Sequence, residues 1–288
     1  MKKILKCLLM TILLISVSGC IKRDNLDEAK ILTGNFPLEY IIKRLYGNNS
    51  TIVNLYPDGT NPDEIKFNKK QINDFAKNNL YIYNGQNKRQ TDMAIKLKKI
   101  NPHLLLIDAT MGINNSQDLE EVWLNPSNML MLSLNIKQGM DEYLKSSFLQ
   151  RKIDKEYEKL KLDLSNLDAS LRLLSTNAKK RTIIVGNNGL TFLNKYGFNI
   201  ISLDTDEAQK DKALNEARNA IDNEYIKHVY VIQYKDNNSA LNDLINNHSL
   251  EKITIMSLVT ISDNDRKLKK DYLMLMRDNI DLIKKGTY

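Results

Sequence analysis

Eight apolar residues, Leu149, Ile153, Tyr157, Leu160, Leu164, Leu167, Leu171 and Leu174, recur at spacings of three and four, and neither glycine nor proline interrupts them. Such a stripe lies along one face of a single long helix. Lysines and acids fill the remaining positions, which makes the opposite face solvated. At 1.5 Å per residue, a helix over 149–176 would span roughly 40 Å. The segment reads as a strut lying across two domains, with a coiled coil as the alternative.

Strand and helix signals alternate on both sides of the strut. Before it come a helix at 37–46 (PLEYIIKRLY), a strand at 51–55 (TIVNL) and a turn-rich stretch at 56–62. A helix at 68–77 follows, opened by an asparagine cap. Then come a strand at 80–83 (LYIY), a helix at 91–100 and a strand at 103–107 (HLLLI). Beyond the strut, strands are expected at 182–185, 199–203, 228–233 and 252–258. Helices are expected at 190–196, 207–223, 239–247 and 271–285. Alternation of this kind points to parallel sheets covered on both faces. The predicted fold class is therefore α/β, with two α/β lobes joined by one long connecting helix.

The amino terminus stands apart from this pattern. Lys2, Lys3 and Lys6 precede a short apolar run that ends in Val17, Ser18, Gly19 and Cys20. This is the layout of a secretory signal, and its core is too short for a good transmembrane helix. The cysteine directly after Val-Ser-Gly resembles a bacterial lipobox, which implies lipidation of Cys20 and an anchor on the extracytoplasmic face of the cell membrane. The other cysteine, Cys7, lies inside the signal, so no thiol remains for disulfides, metal ligation or nucleophilic catalysis. The expected boundaries are a signal peptide at 1–19, an N-terminal α/β lobe at 20–146, the connecting helix at 147–178 and a C-terminal α/β lobe at 179–288. The net charge of +7 includes the three lysines of the signal, which leaves about +4 on the rest. That mild excess suits a domain near anionic lipid and gives no reason to propose nucleic acid.

Several short motifs carry a resemblance. YPDGTNPDEIKF (56–67) resembles a V-P-x-G-x-D-P-H segment, and LYIYNG (80–85) a strand ending F-Y-N-G. EVWLNP (121–126) resembles H-x-W-L-D/N-P. IIVGNNGLTFLNKYGF (183–198) and DYLMLMRDNIDLIKKG (271–286) resemble two further segments of the same proteins. Together, and in this order, they are similar to the solute-binding lipoproteins of metal-ion ABC transporters that take up zinc or manganese. The resemblance implies a divalent metal ion of manganese or zinc type held between the lobes and passed to a membrane permease. It also implies a monomer. An adhesin or scaffold on the same fold, or a carrier of a non-metal solute, is the alternative.

The resemblance also maps metal ligands onto this chain. The two first-lobe histidines of the family fall on Asp63 and Glu121. The second-lobe position falls on Asn188 or Asn187, and the last on Thr260, with Asp263 and Asp265 nearby. Asp63, Glu121, Asn187 or Asn188, and Asp263 would give an oxygen-only site, suited to harder cations than an imidazole site. Trp123 follows a ligand position, and its ring is expected to pack under that turn and fix the direction of Glu121. The three histidines, His103, His228 and His248, match no ligand position. No Walker, G-x-S-x-G or H-E-x-x-H motif occurs, so catalysis is not expected.

Overall fold

The computed structural model describes residues 26, 28–113, 119–235 and 238–288. The segment expected to be a signal, with Cys20, lies outside the described residues. In the first lobe β1 (Ala29–Thr33), α1 (Phe36–Tyr46), β2 (Ser50–Asn54), α2 (Lys69–Phe75), β3 (Leu80–Tyr83), α3 (Lys88–Ile100) and β4 (Leu105–Asp108) alternate in order. A single-turn helix α4 (Glu121–Leu124) and α5 (Pro126–Tyr143) lead into the connecting helix α6 (Ser147–Asn177). The second lobe holds β5 (Thr182–Val185), a 3-10 helix over Asn188–Tyr196, β6 (Asn199–Ser202), α7 (Glu207–Glu224) and β7 (His228–Ile232). It closes with α8 (Ser239–His248), β8 (Glu251–Ile255), a short α9 (Asp263–Lys267) and α10 (Tyr272–Thr287).

Each lobe is built on a four-stranded, all-parallel sheet, ordered β2-β1-β3-β4 in the first and β6-β5-β7-β8 in the second. Parallel strands need crossover connections, and helices supply most of them. The inner strands are almost wholly buried, as in Leu80, Tyr81 and Ile82 of β3 and Thr182–Val185 of β5. The two α/β lobes expected from the alternation are thus present.

The apolar stripe of α6 is buried as its spacing requires: Ile153 and Leu160 are 0% exposed and Leu164 and Leu171 1%. The helix packs on α5 and α1 of the first lobe and on α10 and the 3-10 helix of the second. Polar ties accompany this packing. Arg44 of α1 donates to Asp163 at 2.8 Å, and the Tyr196 hydroxyl donates to Asp168 at 2.6 Å. One continuous apolar cluster runs from Ile41 and Trp123 through Leu164 to Val185 and Tyr272, so the lobes share a core. Two smaller clusters lie under α2 and α3 and under α7 and α8, on the outer faces of the sheets. Among the described residues no helix is long and apolar enough to cross a membrane.

Local signals explain most boundaries. Asn68 and Gln71 form a reciprocal capping box at the start of α2. Gly197 ends the 3-10 helix at φ +95°, a conformation that a side chain would strain. The helix α5 is additional to the elements expected from the sequence. It buries Met129, Leu132, Ile136 and Met140. Gly139 lets it lie on β4: a Cβ there would meet the Ile107 side chain at 2.8 Å. Gly139→Val is expected to wedge the helix outward and lower stability by about 2 kcal/mol, measurable by urea denaturation.

Candidate functional site

In open parallel sheets ligands bind outside the carboxyl ends of the strands. Here the loops leaving those ends in one lobe meet the corresponding loops of the other. Phe36 N–H, just after β1, donates to Val259 O at 3.1 Å, and Gly59 N–H, after β2, to Ile261 O at 2.7 Å. The Thr260 hydroxyl donates to Thr60 O at 2.8 Å. Gly59 takes φ +68°, in a turn where its bare backbone lies close to Asp263.

Trp123 crosses the same cleft. Its ring is 2% exposed, and its indole N–H donates to Ser257 O, beyond β8, at 2.7 Å. The Tyr272 hydroxyl of α10 donates to Trp123 O at 2.5 Å. The Asn279 side chain bonds both backbone groups of Met256, at 2.9 and 3.0 Å, and so holds the Ser257 segment in place. The ring thus reaches across to the other lobe.

A charged clasp lies at another edge. Arg266 of α9 is gripped by two first-lobe carboxylates, 2.7 and 2.8 Å from Asp58 and 2.7 and 3.0 Å from Glu39. Glu39 is 4% exposed and also accepts from Lys43 and from Asn54. Burial pushes the Glu39 carboxyl up, but the bonds from Arg266, Lys43 and Asn54 outweigh it and hold its pKa below the usual value. Arg266 is driven the other way: the bonds to Asp58 and Glu39 raise its pKa against the effect of burial.

The sequence-predicted residues are distributed as follows. Asp63 sits in the 3-10 turn Pro62–Glu64 with its side chain 70% exposed, 3.4 Å from Arg89. Glu121 is the first residue of α4 and half-buried, within electrostatic reach of Lys195. Asn187 and Asn188 part company. The Asn188 amide donates to Asp204 O at 2.8 Å and lines an outer groove with Asp206 and Gln209. Asn187 is 5% exposed, and neither of its amide atoms has a hydrogen-bond partner. It sits just past β5, before the 3-10 helix that α4 packs against.

Asp263 is exposed at the start of α9, near Gly59. Thr260 is committed to Thr60, and Asp265 to Ser262 at 2.6 Å and Lys270 at 3.3 Å. Among the described residues no group of three or more His, Cys, Asp and Glu is arranged to hold a metal ion. His228 opens β7, His103 precedes β4, and His248 ends the helix before β8, so each marks the strand end opposite the cleft.

Two cleft residues went unnoticed in the sequence. Glu120, one residue before Glu121, is 5% exposed, and its carboxylate lies 3.7 Å from the Lys235 ammonium. Tyr234 beside it is held at φ +71°, rare for a side chain of this size, and its hydroxyl donates to Gly59 O at 3.4 Å. None of these residues occupies a family motif, and Glu120 and Lys235 are 115 positions apart in sequence, so no local spacing announces the pair.

Two lobes with parallel sheets, joined by one helix and meeting at their strand ends, define the architecture. Residues 31–286 match the family model described as zinc-uptake complex component A, periplasmic, and the chain belongs to that family. It is 20% identical over 295 residues to the zinc-binding protein AdcA of Streptococcus pyogenes serotype M1, covering 90% of this chain and 56% of that one. The fold is also that of zinc-bound AdcA from Streptococcus pneumoniae, at TM-score 0.70 and 17% identity over 90% of this chain and 58% of the other. The chain therefore spans less than two thirds of these relatives' length. A crystal structure of ZnuA matches at TM-score 0.72 and 14% identity, covering 91% of this chain and 100% of that one. The metal-dependent lipoprotein YcdH from Bacillus subtilis matches at 0.71 and 16%, covering 90% and 99%.

Proposed function

We propose that this protein is the lipid-anchored, extracytoplasmic solute-binding component of a metal-ion ABC transporter. It captures a divalent cation in the interlobe cleft and delivers it to a membrane permease, with Cys20 as the anchor. The relatives named for zinc support the metal class. The observation that carries the reading is Asn187: an amide that is 5% exposed and has no partner at either atom sits at the carboxyl end of a central strand. A buried polar group without a partner costs free energy, so such a group in a cleft is a place prepared for a ligand. On this reading Asp63, Glu121 and Asp263 would add carboxylates from loops at the strand ends, and such an oxygen donor set would favour a manganese-like ion over zinc. The shared apolar core and the single rigid helix favour small opening motions over wide hinge closure.

That no group of three or more His, Cys, Asp and Glu is arranged for a metal among the described residues favours one second reading. In it, the fold persists as a scaffold or adhesin without a solute. Elemental mass spectrometry on the full chain, purified in mild detergent without chelator, separates the two. A carrier should hold one divalent ion near one equivalent. After stripping, adding that ion at about a hundred times its Kd should raise the melting temperature by roughly 5–10 °C. Asp63→Ala and Glu121→Ala should abolish that rise. No ion and no rise with any divalent cation would leave the scaffold reading.

A further inference from the structure

We propose that the outer face of the first lobe is a seat for an anionic lipid bilayer: lysines of α2 and α3 meet the headgroups, and Ile95 and Ile100 dip into the interface between them. The inference does not depend on what the cleft holds. Its first support is the place of the charge. Residues 66–99 carry nine Lys and Arg against two acids, Asp74 and Asp92, an excess of seven that equals the net charge of the whole chain. All nine basic residues are exposed. Three are paired: Lys77 with Asp74 at 2.6 Å, Lys88 with Asp92 at 2.9 Å and Arg89 with Asp63 at 3.4 Å. Lys66, Lys69, Lys70, Lys96, Lys98 and Lys99 lie within ion-pair distance of no carboxylate among the described residues. An unneutralised cluster of this size attracts an anionic surface, each lysine adding to the binding.

Second, the surface is amphipathic. α2 and α3 pack on each other and over the outer cluster of the first sheet, so the residues they leave exposed share one side of the lobe. Met93, Ala94 and Leu97 form the buried side of α3. Ile95 and Ile100 lie outside it, 50% and 48% exposed among the lysines. Third, α3 leaves the edge strand β4 partly uncovered. A hollow of about 320 Å³ lies there, lined by Tyr83, Ala94, Ile95 and Leu106 together with Lys98 and Lys99. Ile95, Lys98 and Lys99 stand at i, i+3 and i+4 and so share one side of the helix. A mostly apolar hollow bordered by ammonium groups, and by no acid, matches the interface of an anionic bilayer. There acyl carbon begins just beneath the phosphates, and lysine stems cover apolar surface while their heads reach the phosphates. A soluble polyanion would use the lysines and leave the hollow and both isoleucines in water.

Every element of the fold lies within Ala29–Thr287, so the chain from Ile21 carries the whole folded body without an anchor. The test is co-sedimentation of that chain with vesicles of phosphatidylcholine, alone or with about 30% phosphatidylglycerol. The wild type is expected to bind the anionic vesicles only, and about ten-fold more weakly as salt rises from about 0.1 M to about 0.5 M. Lys69→Gln/Lys70→Gln/Lys96→Gln/Lys99→Gln should bind about thirty-fold more weakly or worse. Lys212→Gln/Lys227→Gln/Lys267→Gln/Lys269→Gln, which removes four exposed lysines of the second lobe, should stay within about three-fold of the wild type. Ile95→Ser should weaken binding about five-fold and leave its salt dependence unchanged. Equal losses in the two quadruple variants, or no binding to anionic vesicles, overturns the inference. A loss with the first-lobe lysines but none with Ile95→Ser replaces the bilayer by a partner that offers charge alone, and overturns it as well.

Discussion

Trp123→Ala should cost about 4 kcal/mol of stability, the largest loss expected from any single substitution in this chain. The ring is 2% exposed, and truncation would leave a cavity at the junction of α4, α5 and the second lobe. The more informative variant is Trp123→Phe, which keeps most of the apolar volume. If the ring were only a plug, that change would be nearly neutral. The structure assigns it a bond as well: the indole N–H satisfies the carbonyl of Ser257, itself 0% exposed, across the cleft. Leaving that carbonyl unpaired should cost roughly 1–3 kcal/mol beyond any lost volume. Because this is the only tryptophan, tyrosine fluorescence and circular dichroism should follow unfolding of both variants in urea. A Trp123→Phe protein as stable as the wild type would show that the Ser257 bond contributes nothing.

The fold was legible where structure follows local period. The α6 stripe, the capping asparagine of α2 and the strand–helix alternation all express contacts within about a dozen residues. Apart from the short helices α4 and α9, two elements were not legible. β1 is a five-residue strand, AKILT, beside charged sequence and shows no alternation. α5 carries Ser, Asn and Gly among its apolar residues, and burial against α6 holds it more than propensity does.

The candidate site divides in the same way. Motif positions identified the loops at the strand ends, because the turn chemistry of segments such as YPDGTNP is written locally. They could not show which side chains meet. Arg266 and Glu39 are 227 residues apart, Trp123 and Ser257 134. Such pairs are created by docking of the lobes. The motif residues Trp123, Tyr272 and Asn279 turn out to bind the lobes and cleft segments together. Their spacing therefore reports the architecture of the cleft more directly than its contents.

Arg266→Met should be the second large loss, about 3 kcal/mol, because it leaves Glu39 buried with its main compensating charge removed. The pH dependence distinguishes this cause from lost packing against Phe36, whose ring lies 5.6 Å from the guanidinium. In the wild type the Glu39 pKa is depressed, so the stability it contributes is present above the unfolded carboxylate pKa. That stability is lost as pH falls through the lower folded value. In Arg266→Met burial acts on Glu39 with less opposition, its pKa rises, and the protein is relieved of the charge at a higher pH than the wild type. The gap between the two melting curves should therefore be widest near neutrality and narrow as pH drops through roughly 4.5, the ordinary glutamate range. Arg266→Met/Glu39→Gln should recover part of the loss at neutral pH and show no such narrowing. A gap that stays constant from pH 7 to pH 3.5 would mean that the clasp contributes through contact alone. Glu39 would then be neutralised adequately by Lys43, with the Asn54 amide as a further hydrogen-bond donor.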